Sequence, residues 1–157
     1  MPLRRKVMRH DARTLMNELH SRIAESFNAQ GLMRTLRAEL VLVSDGEVHI
    51  LLPHSSSLTQ QRGYIHAGAI TSILDTACGY AALTKAPAEC DVVTAEFKIN
   101  LVRPAIGDRF LAVGKVQNAG RLLTVCTGDV RAFTTPGDGY KIVALMQATI
   151  ANIRHDG

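Results

Sequence analysis

From Val93 to Leu101 apolar and polar residues alternate without a break. Val93, Ala95, Phe97, Ile99 and Leu101 fall on one side, and Thr94, Glu96, Lys98 and Asn100 on the other. This period of two predicts a strand over about residues 92–102. Three more alternating stretches follow, at about 109–118, 121–133 and 140–153. Turn residues separate them: Pro104 and Gly107, then Asn118 and Gly120, then Pro136, Gly137 and Gly139. Upstream, residues 34–44 alternate as well, with Leu36, Ala38, Leu40 and Leu42 on one face. Asp45-Gly46 is a tight hairpin signal. Val48, Ile50 and Leu52 continue into a second strand that stops at Pro53.

Two stretches carry the helical period instead. Over residues 11–29, Leu15, Met16, Leu19, Ile23 and Phe27 recur at helical spacing, with Asp11 as a cap and Gly31 as a stop. Residues 67–84 are rich in Ala, Leu and Ile, and Ile70, Ile73, Leu74, Ala77 and Ala81 form a stripe that belongs to a core. The order is helix, two strands, central helix, four strands, the last four joined as three antiparallel hairpins. That order predicts an α+β domain, with one apolar helix against a six-stranded antiparallel sheet and an extra N-terminal helix. Residues 54–65 are polar and without period, and a loop of that length inside a compact domain is often functional.

Composition narrows the class. A chain of 157 residues, 46% hydrophobic and 20% charged, fits one globular domain that needs no metal or disulfide staple. Residues 1–10 read as a basic tail and 11–157 as a single domain. No apolar run reaches the roughly 18 residues that span a bilayer, and no apolar stretch follows the basic start, so the expected residence is cytoplasmic. Cys78, Cys90 and Cys126 are odd in number and widely spaced, which argues for reduced, buried thiols and against a zinc site. The absence of Trp and an aromatic content of 4% weaken any base-stacking surface, so no nucleic-acid partner is expected. The net charge of +4 suits an anionic ligand.

The chemistry concentrates between Gln60 and Tyr80. Asp75 sits off the apolar stripe, with small helical neighbours Thr71, Ser72, Cys78 and Gly79 and no Lys or Arg one turn away. A lone helical Asp is ordinarily solvated. One pressed among small residues on a central helix is instead neutralised or put to use. His66, Ala67 and Gly68 open the helix, where unpartnered N–H groups and the helix dipole suit a developing oxyanion. A histidine there is more often a cap than a catalyst. Asp75 lies nine residues beyond His66, about 13 Å of rise and roughly half a turn. The two cannot meet on one substrate atom within a single chain, so either one is irrelevant or a second subunit completes the site.

Gln60, then His66-Ala-Gly-Ala-Ile, then Asp75-Thr-Ala-Cys-Gly-Tyr-Ala resembles the active-site segment of hotdog-fold thioesterases of the phenylacetate-pathway (PaaI-like) type. The likeness continues through Thr94-Ala-Glu-Phe-Lys-Ile-Asn-Leu-Val-Arg-Pro-Ala-Ile-Gly-Asp108 and Ala119-Gly-Arg-Leu-Leu123, over about residues 33–152. The resemblance implies a hotdog fold, hydrolysis of an acyl-CoA or acyl-carrier thioester, and no cofactor or metal. It also implies a homodimer or dimer of dimers with active sites shared between subunits. Within it, Asp75 is the general base or nucleophile, Ala67 the backbone donor to the thioester carbonyl, and His66 a residue that shapes the pocket. Gln60 binds the carbonyl or the attacking water, and Thr94 helps place that water. The family commonly has His-Gly-Gly, so Ala67 is a departure: it keeps the N–H but adds a methyl group and disfavours a positive φ. Gly68 borders the carbonyl site. Arg103, Arg109 and the Gly120-Arg121 pair are candidates for CoA phosphates. Two rival readings are a hotdog dehydratase acting on 3-hydroxyacyl thioesters and a non-catalytic acyl-CoA-binding domain.

Overall fold

The computed structural model describes residues 2–134, 137 and 139–154, with backbone alone for residues 2–12. Helix α1 spans Pro2–Ala29 and α2 Gly31–Leu36. Strands β1 (Glu39–Ser44) and β2 (Glu47–Pro53) precede the central helix α3 (Ala67–Leu83). Strands β3 (Cys90–Leu101), β4 (Arg109–Ala119), β5 (Leu123–Phe133) and β6 (Lys141–Arg154) complete the chain. The six strands form one antiparallel sheet in the order β1-β2-β4-β5-β6-β3. This is the expected α+β architecture.

Helix α3 lies on the sheet with its apolar stripe sealed. Ile70, Ile73, Leu74, Ala77 and Ala81 are buried, as are Val48, Ile50 and Leu52 on β2. The approach is close enough that a Cβ on Gly114 of β4 would lie 2.5 Å from the Ala77 backbone carbon. All three cysteines are buried and free.

Four expectations are corrected. The first helix begins at Pro2, not residue 11, because Leu3 to Arg9 are mostly good helix formers and proline suits a first helical position. Its apolar stripe packs from Leu19 onward: Leu19 lies against the core and Ile23 and Phe27 are buried, whereas Leu15 is exposed. Residues 31–36 are helical rather than the start of a strand. Met33 and Leu36, three apart, turn their side chains into the core, and Arg37 closes the turn in the left-handed region (φ 55°). The connection from β3 to β4 is not a hairpin. Its seven residues, 102–108, exceed the usual hairpin loop and carry the chain across to β2, leaving β3 to pair with β6 at the sheet edge.

The fourth correction positions the site. The β3–β6 register slips between Thr94 and Glu96, so Ala95 is bulged out. Thr94 pairs with Ile150 and Phe97 with Ala148, both partners buried on the helix side of the sheet. Thr94 therefore shares a face with Phe97, not with Glu96 and Lys98. A similar slip at Val41 in β1 puts Leu40 and Val43 against the core and leaves Leu42 exposed.

Candidate active site

The bulge brings Thr94 over Asp75. The Thr94 hydroxyl donates to Asp75 Oδ1 at 2.7 Å. Partial burial raises the Asp75 carboxyl above its ordinary range, and the Thr94 hydrogen bond opposes part of that rise. Asp75 and Thr94 both face a cavity of about 270 Å³, walled by Thr76, Gly79 and Tyr80 of α3, by Ser26 and Gln30, and by Val92 of β3. A half-buried carboxylate with raised proton affinity beside a hydroxyl, open to a cavity, can take a proton from water or attack a carbonyl. The nearby Cys78 thiol is no rival nucleophile. It is fully buried, and burial first, then Cys126 and Asp75, pushes its proton affinity far up.

The start of α3 is a separate place. His66 caps the helix, its Nδ1 accepting from Gly68 N–H at 2.8 Å. Its ring proton therefore sits on Nε2. The N–H groups of Ala69 and Ile70 donate to the His66 carbonyl. Ala67 N–H has no acceptor among the described residues, and Ala67 is not among the residues of positive φ. The φ constraint raised by its methyl group does not arise. Gln60 sits in the turn before the helix. Its Oε1 accepts from Arg62 N–H, and its amide NH₂ has no partner among the described residues. Gln60, Ala67 and Arg103 line a second cavity of about 360 Å³ with Tyr64, Leu101 and Val102. Arg103 is tied by a 2.8 Å bond to the Ile142 carbonyl.

The sequence-derived residues thus fall into two groups within one chain, as the half-turn geometry required. Asp75 and Thr94 belong to the first cavity; Gln60, Ala67 and Arg103 belong to the second. Gly120 and Arg121 form the β4–β5 turn, where Asn152 Nδ2 holds both carbonyls, and the next residue but one, Leu123, pairs with Ala151 opposite Val93. The Arg109 guanidinium rests over the Phe133 ring at 5.4 Å. Three residues that face Asp75 were not foreseen. Tyr80 donates to Ser26 Oγ at 3.0 Å and accepts from Gln30 Nε2 at 2.8 Å. Among the described residues no group of three His, Cys, Asp or Glu side chains is placed to hold a metal. No described helix is long and apolar enough to cross a membrane.

Comparison with known proteins places this geometry. The family model of the thioesterase superfamily matches residues 62–136, the stretch that contains Ala67, Asp75, Thr94 and Arg103. A thioesterase family protein from Silicibacter pomeroyi is 39% identical and superposes with a TM-score of 0.82, over 87% of this chain and 98% of its own. The chain belongs to the thioesterase superfamily. A Halobacterium salinarum protein with a provisional esterase name is 32% identical over 114 residues, 69% of this chain and 72% of its own. The PaaI protein of Escherichia coli, from the phenylacetic acid degradation operon, shares the fold at 18% identity and a TM-score of 0.76, over 88% of this chain and 96% of that one. The resemblance read from residues 60–123 therefore holds at the level of superfamily and hotdog fold. Membership of the thioesterase superfamily carries its general chemistry, thioester hydrolysis.

Proposed function

We propose that this thioesterase hydrolyses acyl-CoA esters in a composite site, with Asp75 of one subunit acting on a thioester whose carbonyl is held at the α3 start of another. The observation that carries the reading is the Asp75–Thr94 hydrogen bond at the mouth of a cavity. Asp75 serves as general base toward water or as nucleophile, and Thr94 orients it. Ala67 N–H and the Gln60 amide donate to the thioester oxygen. His66 and Gly68 fix the helix cap around it, and Arg103, Gly120 and Arg121 take the CoA phosphates.

The topology supports the second subunit. Strand β3 lies at the sheet edge, its outer edge unpaired among the described residues, and exposes Phe97 and Leu101 on one face and, across the bulge, Val93 on the other. Its first residues border the Asp75 cavity, and its last residue borders the Ala67 cavity. Antiparallel pairing of two β3 strands about a two-fold axis sets the 91–94 end of one copy against the 101–103 end of the other. Each Asp75 then meets a partner's helix start. A dimer of dimers is compatible with the same pairing. His66 Nδ1 is committed to the Gly68 N–H, and Asp75 is bonded to Thr94 rather than to a histidine, which favours hydrolysis over the dehydratase reading.

The test is thiol release from a panel of acyl-CoA esters by the wild type and by Asp75→Asn, which keeps the shape of the side chain and removes its basicity. Turnover in the wild type that falls by orders of magnitude in the variant is the expected result. Unchanged turnover in the variant overturns the role of Asp75. Tight CoA-ester binding without thiol release favours the non-catalytic binding domain.

A further inference from the structure

The Asp75 cavity has a wall that hydrolysis does not require. Tyr80 is buried, and its hydroxyl needs a partner there. It finds two, donating to Ser26 Oγ and accepting from the Gln30 carboxamide. All three residues line the same cavity as Asp75. Their remaining hydrogen-bonding capacity decides what the wall can bind. With its oxygen accepting from Tyr80, Ser26 still has its own O–H to donate. With its Nε2 committed to Tyr80, Gln30 still has Oε1 to accept. Neither group has a partner among the described residues. One donor and one acceptor, held in place by a single buried tyrosine, match a group that both accepts and donates. A hydroxyl is the simplest such group.

The wall also stands at a defined depth. Tyr80 lies five residues beyond Asp75 on the same helix, about 7.5 Å along the axis. An acyl chain whose carbonyl carbon lies at Asp75 reaches that depth with roughly its sixth or seventh atom. The cavity, at about 270 Å³, falls just below the usual range for small-molecule sites, roughly 300–1,000 Å³. It suits a short acyl group rather than a long one.

We infer that Ser26, Tyr80 and Gln30 form the distal wall of the acyl compartment and select short acyl groups that carry a hydroxyl near the far end. The inference rests on the hydrolytic reading of Asp75. Ser26 is exposed and Gln30 half-buried, so a methyl terminus at this wall displaces their water without replacing its hydrogen bonds, whereas a hydroxyl replaces both. Tyr80 acts as the positioning residue, since its hydroxyl sets the orientation of the other two.

The experiment measures kcat/KM of the full chain for hexanoyl-CoA, 5-hydroxyhexanoyl-CoA, 6-hydroxyhexanoyl-CoA and dodecanoyl-CoA. The wild type is expected to prefer a hydroxylated ester over hexanoyl-CoA by about tenfold, the worth of one well-made hydrogen bond, and to disfavour the dodecanoyl ester. Ser26→Ala and Tyr80→Phe are each expected to bring the hydroxylated-to-plain ratio close to one. A purely structural network would change the rates for all esters in parallel and leave the ratio where it was; that result overturns the inference. So does a wild-type ratio of one in a protein whose thiol release still depends on Asp75, and in that case the hydrolytic reading survives. Failure to release thiol from any ester removes both.

Discussion

Replacing Ala67 by proline deletes one hydrogen-bond donor and almost nothing else. Ala67 is the first residue of α3, where the N–H has no intrahelical acceptor and proline is favoured. The preceding residue must be extended for proline to follow. His66 already is, at φ −60° and ψ 138°. The bonds that hold the helix start belong to Gly68, Ala69 and Ile70 and are untouched. The change in folding stability is therefore expected to stay within about 1 kcal/mol, and the restriction of the unfolded chain favours the variant. If Ala67 N–H faces the developing oxyanion, its loss costs roughly 2.7–4 kcal/mol of transition-state stabilisation, a fall in kcat of about 10²–10³.

The assay is thiol release under saturating acyl-CoA, run beside a thermal melt of the same preparation. The donor acts mainly on charge that develops in the transition state, so the loss should fall on kcat more than on KM. Ala67→Gly keeps the N–H and removes only the methyl group, and its kcat should stay within a few-fold of wild type. A folded Ala67→Pro protein with kcat within threefold of wild type would refute the assignment. It would mean that the reacting carbonyl does not sit at the start of α3.

Thr94→Val removes the bond that partly offsets the burial of Asp75. The Asp75 proton affinity then rises further, and the acid limb of the pH profile of kcat/KM should move to higher pH; an unmoved limb would mean that another group ionises. Asp75→Asn should raise stability at neutral pH. A carboxyl whose proton affinity is raised on folding contributes stability below its unfolded pKa and loses it as pH rises through the folded value, so the gain over wild type should vanish in acid. Denaturation of both proteins at neutral and acid pH checks the sign. Gly114→Ala should destabilise by about 1–3 kcal/mol, because the new methyl would meet helix backbone at Ala77 and Cys78, which cannot swing aside; a change below about 0.5 kcal/mol in urea denaturation would show that α3 can lift away. In a heterodimer of Asp75→Asn with Ala67→Pro, isolated by two tags, one composite site keeps both intact residues. Its rate should return to about half that of wild type, whereas a site within one chain would leave it dead.

The legibility of this fold varied with the kind of signal. Strand and helix identity came through because burial on one face writes a period into the chain, and α3, β2 and the last three strands lie where that period put them. Pairing partners did not. Period two describes one strand, and nothing in Val93 to Leu101 says whether it lies beside β4 or β6. Bulges were equally silent, since the alternation through Ala95 is unbroken and the slip shows only in the register against Ile150 and Thr149. The short α2 was hidden because Leu36 and Ala38 happen to continue the alternation of β1. The candidate positions on or beside α3 were legible as local departures from it: the Asp75 carboxylate off its apolar stripe, and His66, Ala67 and Gly68 at its start. Ser26, Gln30 and Tyr80 were not, because 50 or more residues separate Tyr80 from the other two, and long-range contacts, Phe27 near Tyr80 and Arg22 to Cys90 and Asp91, bring α1 to that wall.

The bulge links these observations into one physical argument. Without it, Thr94 would face away from the helix with Glu96 and Lys98, and Asp75 would be a half-buried carboxylate with no hydrogen bond. Burial would then hold it protonated over a wider pH range and blunt it as a base. With the bulge, the hydroxyl reaches Asp75 and favours the charged form without neutralising it, leaving a carboxylate that is both ionisable and basic. The same strand then runs on for several residues to the cavity at the start of α3. That spacing keeps the acceptor of the proton and the donors to the carbonyl apart in one chain, beyond the roughly 3 Å that catalysis needs. On the proposed composite site, an antiparallel copy of β3 brings one to the other. On this reading the exposed apolar edge, the bulge and the split site are a single device, and assembly is a condition of catalysis.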